Sequence, residues 1–423
     1  MINQLKKALQ ANPMVHDYLI NEVKTISHQA FFVMQKLETK RLVETNEYHV
    51  TVYHRFNLDQ MDYLGSASFA ISRKYSKLEL ALKIEEAIYA ASLIKNKTFE
   101  LVQGQKKQSW KEKPITDHPF EAIDAIASTF FAQSSDTIRF NALEVFHTQT
   151  TTHTVNSRKV DLTKTTYKIM VEAIPSYDGE TQKVELSKFY HYKHLDLVII
   201  QNDAKTALKD VEVRYLANRI EKRFRVDVIL RDQEVAEFFE NLISDYSYDQ
   251  VYRQATDKVI GDAIQKDVLG EWLSIGLIPT SKADRFDRDG VILKPIEVVE
   301  NGIIKNYYGS NQYAQYLNFE PSGIMDMIRV PKGKTAFSTM QKKPHLEIIA
   351  LSGIQIDIYS GYIGGEVRLA VYFDGKHYRP VSGFSFSGNI DQSLSSLRLS
   401  KELTALSNYQ GPKYLKLTNM EII

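Results

Sequence analysis

A change of periodicity between residues 224 and 246 constrains the fold of this chain most strongly. Residues 224–231 read FRVDVILR, an apolar run typical of a buried strand. The next fifteen residues place apolar side chains at i, i+3, i+4, i+7, i+8 and i+11, namely Val235, Phe238, Phe239, Leu242, Ile243 and Tyr246. This spacing predicts an amphipathic helix over about residues 232–248, with one buried face.

The first half of the chain alternates between the periods of strands and helices. Residues 47–56 and 61–72 predict a hairpin, and residues 138–174 predict a run of antiparallel strands. Residues 119–133 predict a helix that begins with proline. Ser76 and Glu79 form an S-x-x-E capping box before a second helix. The apolar positions expected to face the core from that helix are Leu78, Ala81, Leu82, Ile84, Ile88 and Leu93.

The second half is dominated by strands after its first helices. Residues 202–222 predict a helix, and beyond Ser281 glycines at short intervals separate β-branched and aromatic residues. The predicted class is therefore α+β with two domains. Residues 1–195 would place helices on an antiparallel sheet, and residues 196–423 would form a β-rich domain with a large sheet.

Composition excludes several classes of protein. The 423 residues contain 43% hydrophobic residues, enough for more than one core. The 53 Lys and Arg residues balance 52 Asp and Glu residues, so no global field attracts nucleic acid or anionic lipid. The basic stretch 104–114 is interpreted as a surface loop. We see no signal-peptide pattern and no apolar run long enough to span a membrane, so a cytoplasmic location is expected.

The supply of metal ligands is limited. Cysteine is absent, which excludes thiolate nucleophiles and every cysteine-containing metal site. A zinc-peptidase helix needs two histidines on one face with an adjacent glutamate, and none of the 11 histidines is followed directly by glutamate. The predicted helix 232–248 has glutamates on its polar face and no histidine. The sequence therefore contains no H-E-x-x-H motif.

Two other clusters of candidate ligands are interpreted as structural. His191 and His194 could share a metal on a helix, but the following residues LDLVII favour a strand, on which the two rings would point to opposite faces. Asp284, Asp287 and Asp289 lack the spacing of a calcium loop and predict an acidic turn. The alternative is a stand-alone metal-dependent peptidase that uses His191, His194 and a carboxylate.

A glycine cluster near residue 360 is the candidate peptide-binding segment. Residues 360–365 read SGYIGG inside a β pattern, and glycines inside strands mark bulges or close backbone approach. An open strand edge at this point could pair with an extended peptide. The candidate peptide-binding residues are Tyr359, Ser360, Gly361, Gly364 and Gly365.

The order and spacing of several segments resemble the TldD/PmbA family, whose members were named as gyrase modulators and are understood as peptidase subunits. The N-terminal hairpin resembles the family at residues 52–54 and 65–68. The second half resembles it more closely, in segments 234–253, 285–291, 298–323, 356–390 and 415–422.

The family has two branches, and this chain is similar to the PmbA branch, also called TldE. In the TldD branch the corresponding helix has an H-E-x-x-x-H motif, whose histidines bind zinc together with a downstream cysteine. In this chain the motif positions are degenerate and hold Gln233, Glu234 and Phe238. The resemblance implies that this chain binds no metal or other cofactor, and that zinc belongs to a catalytic partner.

The resemblance also implies a function. A TldE-like chain pairs with a TldD-like catalytic subunit, and the heterodimer degrades or trims unfolded peptides. This chain would be the non-catalytic subunit of such a complex, with a homodimer as an alternative when it is isolated. A gyrase- or DNA-associated regulator is a further alternative suggested by the family's older name. The balanced charge argues against nucleic-acid binding.

Overall fold

A computed structural model describes residues 1–72, 75–104, 106–220 and 222–423. The first half is built on one sheet with the order β3-β2-β1-β5-β6-β4, and two further strands, β7 and β8, pair with β6. Neighbouring strands in this sheet run antiparallel, except that β4 is parallel to β6. The strands are β1 (Asp17–Val33), β2 (Lys36–Leu58), β3 (Met61–Ile71), β4 (Gln108–Lys111), β5 (Ile138–Asn156), β6 (Asp161–Asp178), β7 (Lys183–Glu185) and β8 (Lys188–Tyr192).

Two pairs of helices cover this sheet. Helices α1 (Ile2–Ala11) and α2 (Lys77–Ser92) share a core with the β1–β2 end of the sheet. Helices α3 (Pro119–Phe131) and α4 (Leu197–Leu216) share a core with β5 and β6. The predicted hairpin, the helix after Pro119 and the antiparallel strands are therefore confirmed. The predicted loop at residues 104–114 is wrong in part, because it contains β4; its residue Gln105 lies outside the described residues.

The capping box of α2 is confirmed, but its predicted buried face is wrong in part. The Ser76 hydroxyl accepts from the Glu79 amide at 3.2 Å, and the Glu79 carboxylate accepts from the Ser76 amide at 2.8 Å. The buried positions are Leu80, Ile84, Ala87, Ile88 and Ala91, whereas Leu78, Leu82 and Leu93 are exposed. Apolar residues occupy two faces of this helix, and the face with small alanines approaches the sheet. A Cβ atom on Gly65 of β3 would lie 1.8 Å from the Ala91 carbonyl oxygen, so this close approach requires glycine.

Helix α4 begins earlier than predicted and belongs to the first half. The segment LDLVII was expected to be a strand, but the Asp196 side chain accepts from the amides of Val198 and Ile199 and starts the helix there. Four residues of α4, Ile200, Ala204, Ala207 and Leu208, are buried in the core of the first sheet. The first half therefore extends to about the end of α4 rather than to residue 195.

The second half contains two sheets. The larger has the order β15-β10-β22-β18-β16-β17-β9, and an additional pairing of β15 with β16 closes five of its strands into a ring. Its strands are β9 (Asn218–Arg219), β10 (Phe224–Arg231), β15 (His345–Asp357), β16 (Tyr362–Phe373), β17 (Tyr378–Ser382), β18 (Phe384–Asn389), β19 (Arg398–Leu399) and β22 (Tyr414–Ile422). The predicted α+β class with a large C-terminal sheet is confirmed.

The smaller sheet and the remaining helices complete this half. The smaller sheet has the order β13-β12-β11-β14-β21-β20. Its strands are β11 (Ile275–Ile278), β12 (Ile296–Glu300), β13 (Ile303–Ile304), β14 (Met327–Arg329), β20 (Leu403–Ala405) and β21 (Tyr409–Pro412). The helices are α5 (Gln233–Ser244), α6 (Tyr248–Tyr252), α7 (Asn311–Tyr316), α8 (Phe337–Met340) and α9 (Ile390–Ser396). Across the described ranges, no helix combines the length and apolarity needed to cross a bilayer.

Candidate functional site

The start of α5 lies at a strained turn after the buried strand β10. Asp232 connects the two elements with a φ of +46°, a conformation that is costly for a residue with a side chain. Its amide donates to the Lys413 carbonyl at 2.9 Å, and its carboxylate accepts from the Thr404 hydroxyl at 3.2 Å. These contacts fix the direction in which the helix leaves the strand.

The predicted buried face of α5 is confirmed. All six apolar positions are at most 2% exposed and belong to the main core of the second half. The predicted end of the helix at residue 248 is wrong, because α5 ends at Ser244 and Tyr246 lies between α5 and α6. Phe238 contacts Phe239 edge-to-face with ring centroids 5.3 Å apart, and Phe239 stacks on Tyr409. The helix is therefore a structural element of the core along its whole length.

The degenerate motif positions do not converge on a point. Gln233 is exposed, Glu234 is half-buried, and Phe238 is fully buried. A phenyl ring has no lone pair for a metal, and its direction into the core differs from that of Gln233. In the part of the chain that the structure describes, no group of three or more His, Asp or Glu side chains is arranged to hold a metal ion. The zinc of the TldD branch therefore does not fit these residues.

A network of charged side chains lies beside the start of α5. One guanidinium nitrogen of Arg231, the last residue of β10, is 2.6 Å from each carboxylate oxygen of Asp210 on α4. Lys188 on β8 approaches the same carboxylate at 2.9 Å, and Glu347 on β15 is 3.6 Å from Arg231. Asp210 is only 3% exposed, so the pairing is desolvated. The network joins the two halves, and sequence reasoning missed it although Asp210 interrupts an apolar helix face.

Two carboxyl groups near this network bind protons unusually tightly. Burial raises the pKa of Glu234 to about 7, although Lys188 and Arg231 act in the opposite direction. Burial also raises the pKa of Asp203 to about 6, although its carboxylate accepts from the Tyr192 hydroxyl at 2.9 Å. The stability of this region should therefore change near neutral pH.

We expect Glu234→Gln to stabilise the chain at high pH only. The folded pKa of about 7 lies above the ordinary 4.5, so the favourable protonated state is lost as pH rises through 7. Glutamine cannot ionise, and the free energy of unfolding at pH 8 should rise by about 1–2 kcal/mol, with little change at pH 4, below the ordinary pKa of 4.5. Urea unfolding at both pH values measures this, with Glu240→Gln on the exposed face as control. An equal gain at both pH values would contradict it.

The two predicted ligand clusters take structural positions. His191 lies on β8 and His194 follows that strand, and no described carboxylate completes a metal-binding group with them.

The acidic turn at residues 284–289 is confirmed. The Asp287 carboxylate accepts from the amides of Asp289, Val291 and Ile324 at 2.9 to 3.0 Å. Asp284 pairs with Lys164 of the first sheet at 2.6 Å. These carboxylates brace the turn and attach it to the first half of the chain.

The premise of an open strand edge near residue 360 is wrong. Gly364 and Gly365 lie inside β16, where they pair with β15 on one side and β18 on the other. Tyr359, Ser360 and Gly361 form the turn that precedes β16, and the Tyr359 side chain is 60% exposed. This turn therefore offers side chains and loop backbone to a ligand, rather than a free strand edge.

A polar groove lies beside this turn. Its volume is about 430 Å³, and its walls come from strands that are distant in sequence. The lining residues include Arg225, Ser360, Gly361, Tyr362, Asn389 and Gln392. Sequence reasoning found the residues of the turn and missed Arg225, Asn389 and Gln392, because no local pattern brings them together.

Comparisons with known proteins agree with this architecture. Residues 223–423 match the family model described as the PmbA/TldA metallopeptidase C-terminal domain. No curated protein sequence matches the chain. The fold is similar over 100% of this chain to the crystal structure of TldE from Thermococcus kodakarensis, with a TM-score of 0.77, 15% identity and 99% of that chain covered.

Two further solved structures share the fold over the whole chain. One is a candidate modulator of a DNA gyrase from Thermotoga maritima, with a TM-score of 0.76, 12% identity and 100% of that chain covered. The other is a candidate modulator of DNA gyrase from Bacteroides thetaiotaomicron, with a TM-score of 0.76, 12% identity and 98% of that chain covered. Residues 223–423 therefore form a PmbA/TldA metallopeptidase C-terminal domain, and the chain as a whole shares the fold of these three structures.

Proposed function

We propose that this chain is the non-catalytic subunit of a TldD/TldE-type zinc metallopeptidase complex that degrades or trims unfolded peptides. The observation that supports this most directly is Phe238, a fully buried core residue at a position where the TldD branch has a zinc ligand. Gln233, at the other ligand position, faces away from it on the exposed side. In this proposal the catalytic zinc belongs to a TldD-like partner, in the cytoplasm, and this chain supplies none of its ligands.

The polar groove beside residues 359–361 is the part of this chain that we assign to the peptide. It has hydrogen-bond donors and acceptors from Arg225, Asn389 and Gln392, which suit the backbone of an unfolded segment. Exposed Tyr359 would supply apolar contact at its rim. Gly364 and Gly365 would support the groove from below. A Cβ atom on Gly364 would lie 2.1 Å from the Tyr362 hydroxyl oxygen, so the position of the Tyr362 side chain leaves no room for a side chain at residue 364.

Association with a TldD-like chain tests the proposed partnership. The purified chain should form a one-to-one complex with a TldD-like chain from the same organism, measured by size-exclusion chromatography with light scattering. A mixture in which the two chains elute separately would contradict the proposal. Tight DNA binding by the lone chain that weakens steeply with salt would instead support the gyrase- or DNA-associated alternative.

A further inference from the structure

A pair of histidines faces a small pocket in the first half of the chain, far in sequence from α5. His28 on β1 and His147 on β5 are direct partners in the antiparallel register. Side chains at such positions project to the same face of a sheet. Their ring centroids are 6.2 Å apart, and the Phe120 ring of α3 contacts His28 edge-on at 5.0 Å.

His147 has an unused nitrogen in a buried position. The residue is 3% exposed, and its Nε2 atom has no hydrogen-bond partner among the described residues. A buried polar atom without a partner costs free energy, and in folded proteins such an atom is usually satisfied by a ligand, an ion or water.

The pocket that the two histidines line is small and has both polar and apolar walls. Its volume is about 180 Å³, and the loop before α3 forms its wall opposite the two strands. Besides the histidines, the side chains that line it with polar atoms are Thr116, Asp117, Gln149 and Tyr167. Within the described ranges, the Asp117 carboxylate and the Gln149 amide make no hydrogen bond or ion pair. The pocket thus presents several unpaired polar groups to whatever occupies it.

The charge of these groups selects a cation. Asp117 lines the pocket. The Glu112 carboxylate accepts from the backbone amide of Tyr167, another residue of the pocket lining, at 2.8 Å. These carboxylates disfavour an anion. Neutral imidazole is the side chain that most often binds zinc, nickel and copper.

We propose that this pocket binds one divalent transition-metal ion, such as Zn²⁺ or Ni²⁺, through the imidazoles of His28 and His147. No third described His, Asp or Glu side chain is arranged to join them, so water or the oxygen of Gln149 or Tyr167 completes the coordination. A site with two protein nitrogens binds its metal reversibly and more weakly than a closed structural zinc site. The site shares no residue with α5, and its existence does not depend on the proposed function.

Titration with the metal alone tests this site. The untagged full-length chain, stripped with a chelator and dialysed, should bind about one Ni²⁺ per chain in isothermal titration calorimetry. His28→Ala and His147→Gln should each weaken binding at least tenfold. The control is His377→Ala, which removes an exposed histidine that also has a nearby carboxylate, Asp374, and it should leave binding unchanged.

Three results would overturn the site: no binding to the parent chain, unchanged binding in both pocket variants, or an equal loss in the His377 control. If His147→Gln does not fold, His28→Ala decides alone, because His28 is half-buried and its loss leaves the core intact. With Co²⁺ as the probe, the visible absorption of the parent chain should report nitrogen ligation and should be absent in the His28 variant.

Discussion

We expect Phe238→His to lower the free energy of unfolding by about 3 kcal/mol and to create no zinc site. Phe238 is 0% exposed and packs against Phe239, so a smaller polar ring would leave both a void and an unsatisfied nitrogen in the core. The variant restores one histidine of the TldD-type motif, but this histidine would be buried in the core, where it cannot reach a shared metal ion. Urea unfolding measures the loss, and elemental analysis of the folded fraction measures zinc.

The matched control is Gln233→His on the same helix. Gln233 is exposed, so this change should alter the free energy of unfolding by less than about 0.5 kcal/mol. If a double variant that combines Gln233→His with Phe238→His gained chelator-sensitive peptidase activity, the helix would have retained a metal-binding geometry, and our structural interpretation of it would be wrong.

We expect Asp210→Ala to lower the free energy of unfolding by about 3–5 kcal/mol. Its carboxylate accepts from Arg231 at 2.6 Å and pairs with Lys188 at 2.9 Å while it is 3% exposed. Removing it leaves two buried or half-buried cations without their shared partner. Because α4 belongs to the first half and Arg231 to the second, we also expect the two halves to unfold separately in this variant. Chemical unfolding followed by both circular dichroism and tyrosine fluorescence should detect this.

An exposed ion pair provides the control. Asp124 contacts Lys40 at 2.7 Å, as short as the buried contacts, but its side chain is 51% exposed. Asp124→Ala should cost no more than about 1 kcal/mol, because solvent screens such pairs. Equal effects of the Asp124 and Asp210 variants would show that the buried network does not hold the halves together.

Local patterns predicted the elements whose structure depends on near neighbours in sequence. The buried face of α5 followed from its 3.6-residue period, and the capping box at Ser76 and Glu79 followed from their spacing. Asp196 could have marked the start of α4 in the same way, because aspartate before an apolar run is a helix N-cap signal. The family resemblance extended these patterns to the whole C-terminal domain.

Features that depend on distant partners could not be predicted. Whether Gly364 and Gly365 form an edge or an interior strand depends on β15 and β18, which the glycine pattern does not specify. The His28 and His147 pair depends on the register of β1 against β5. The apolar residues of α2 did not show which of its two faces meets the sheet.

Cleavage of an unfolded peptide by the purified, untagged chain tests the central claim most directly. Casein or a labelled unfolded peptide is incubated with this chain, with a TldD-like chain, and with the two together, each with and without a zinc chelator. The account predicts no cleavage by this chain alone at any zinc concentration, and chelator-sensitive cleavage when the TldD-like chain is present. Chelator-sensitive cleavage by this chain alone would contradict it.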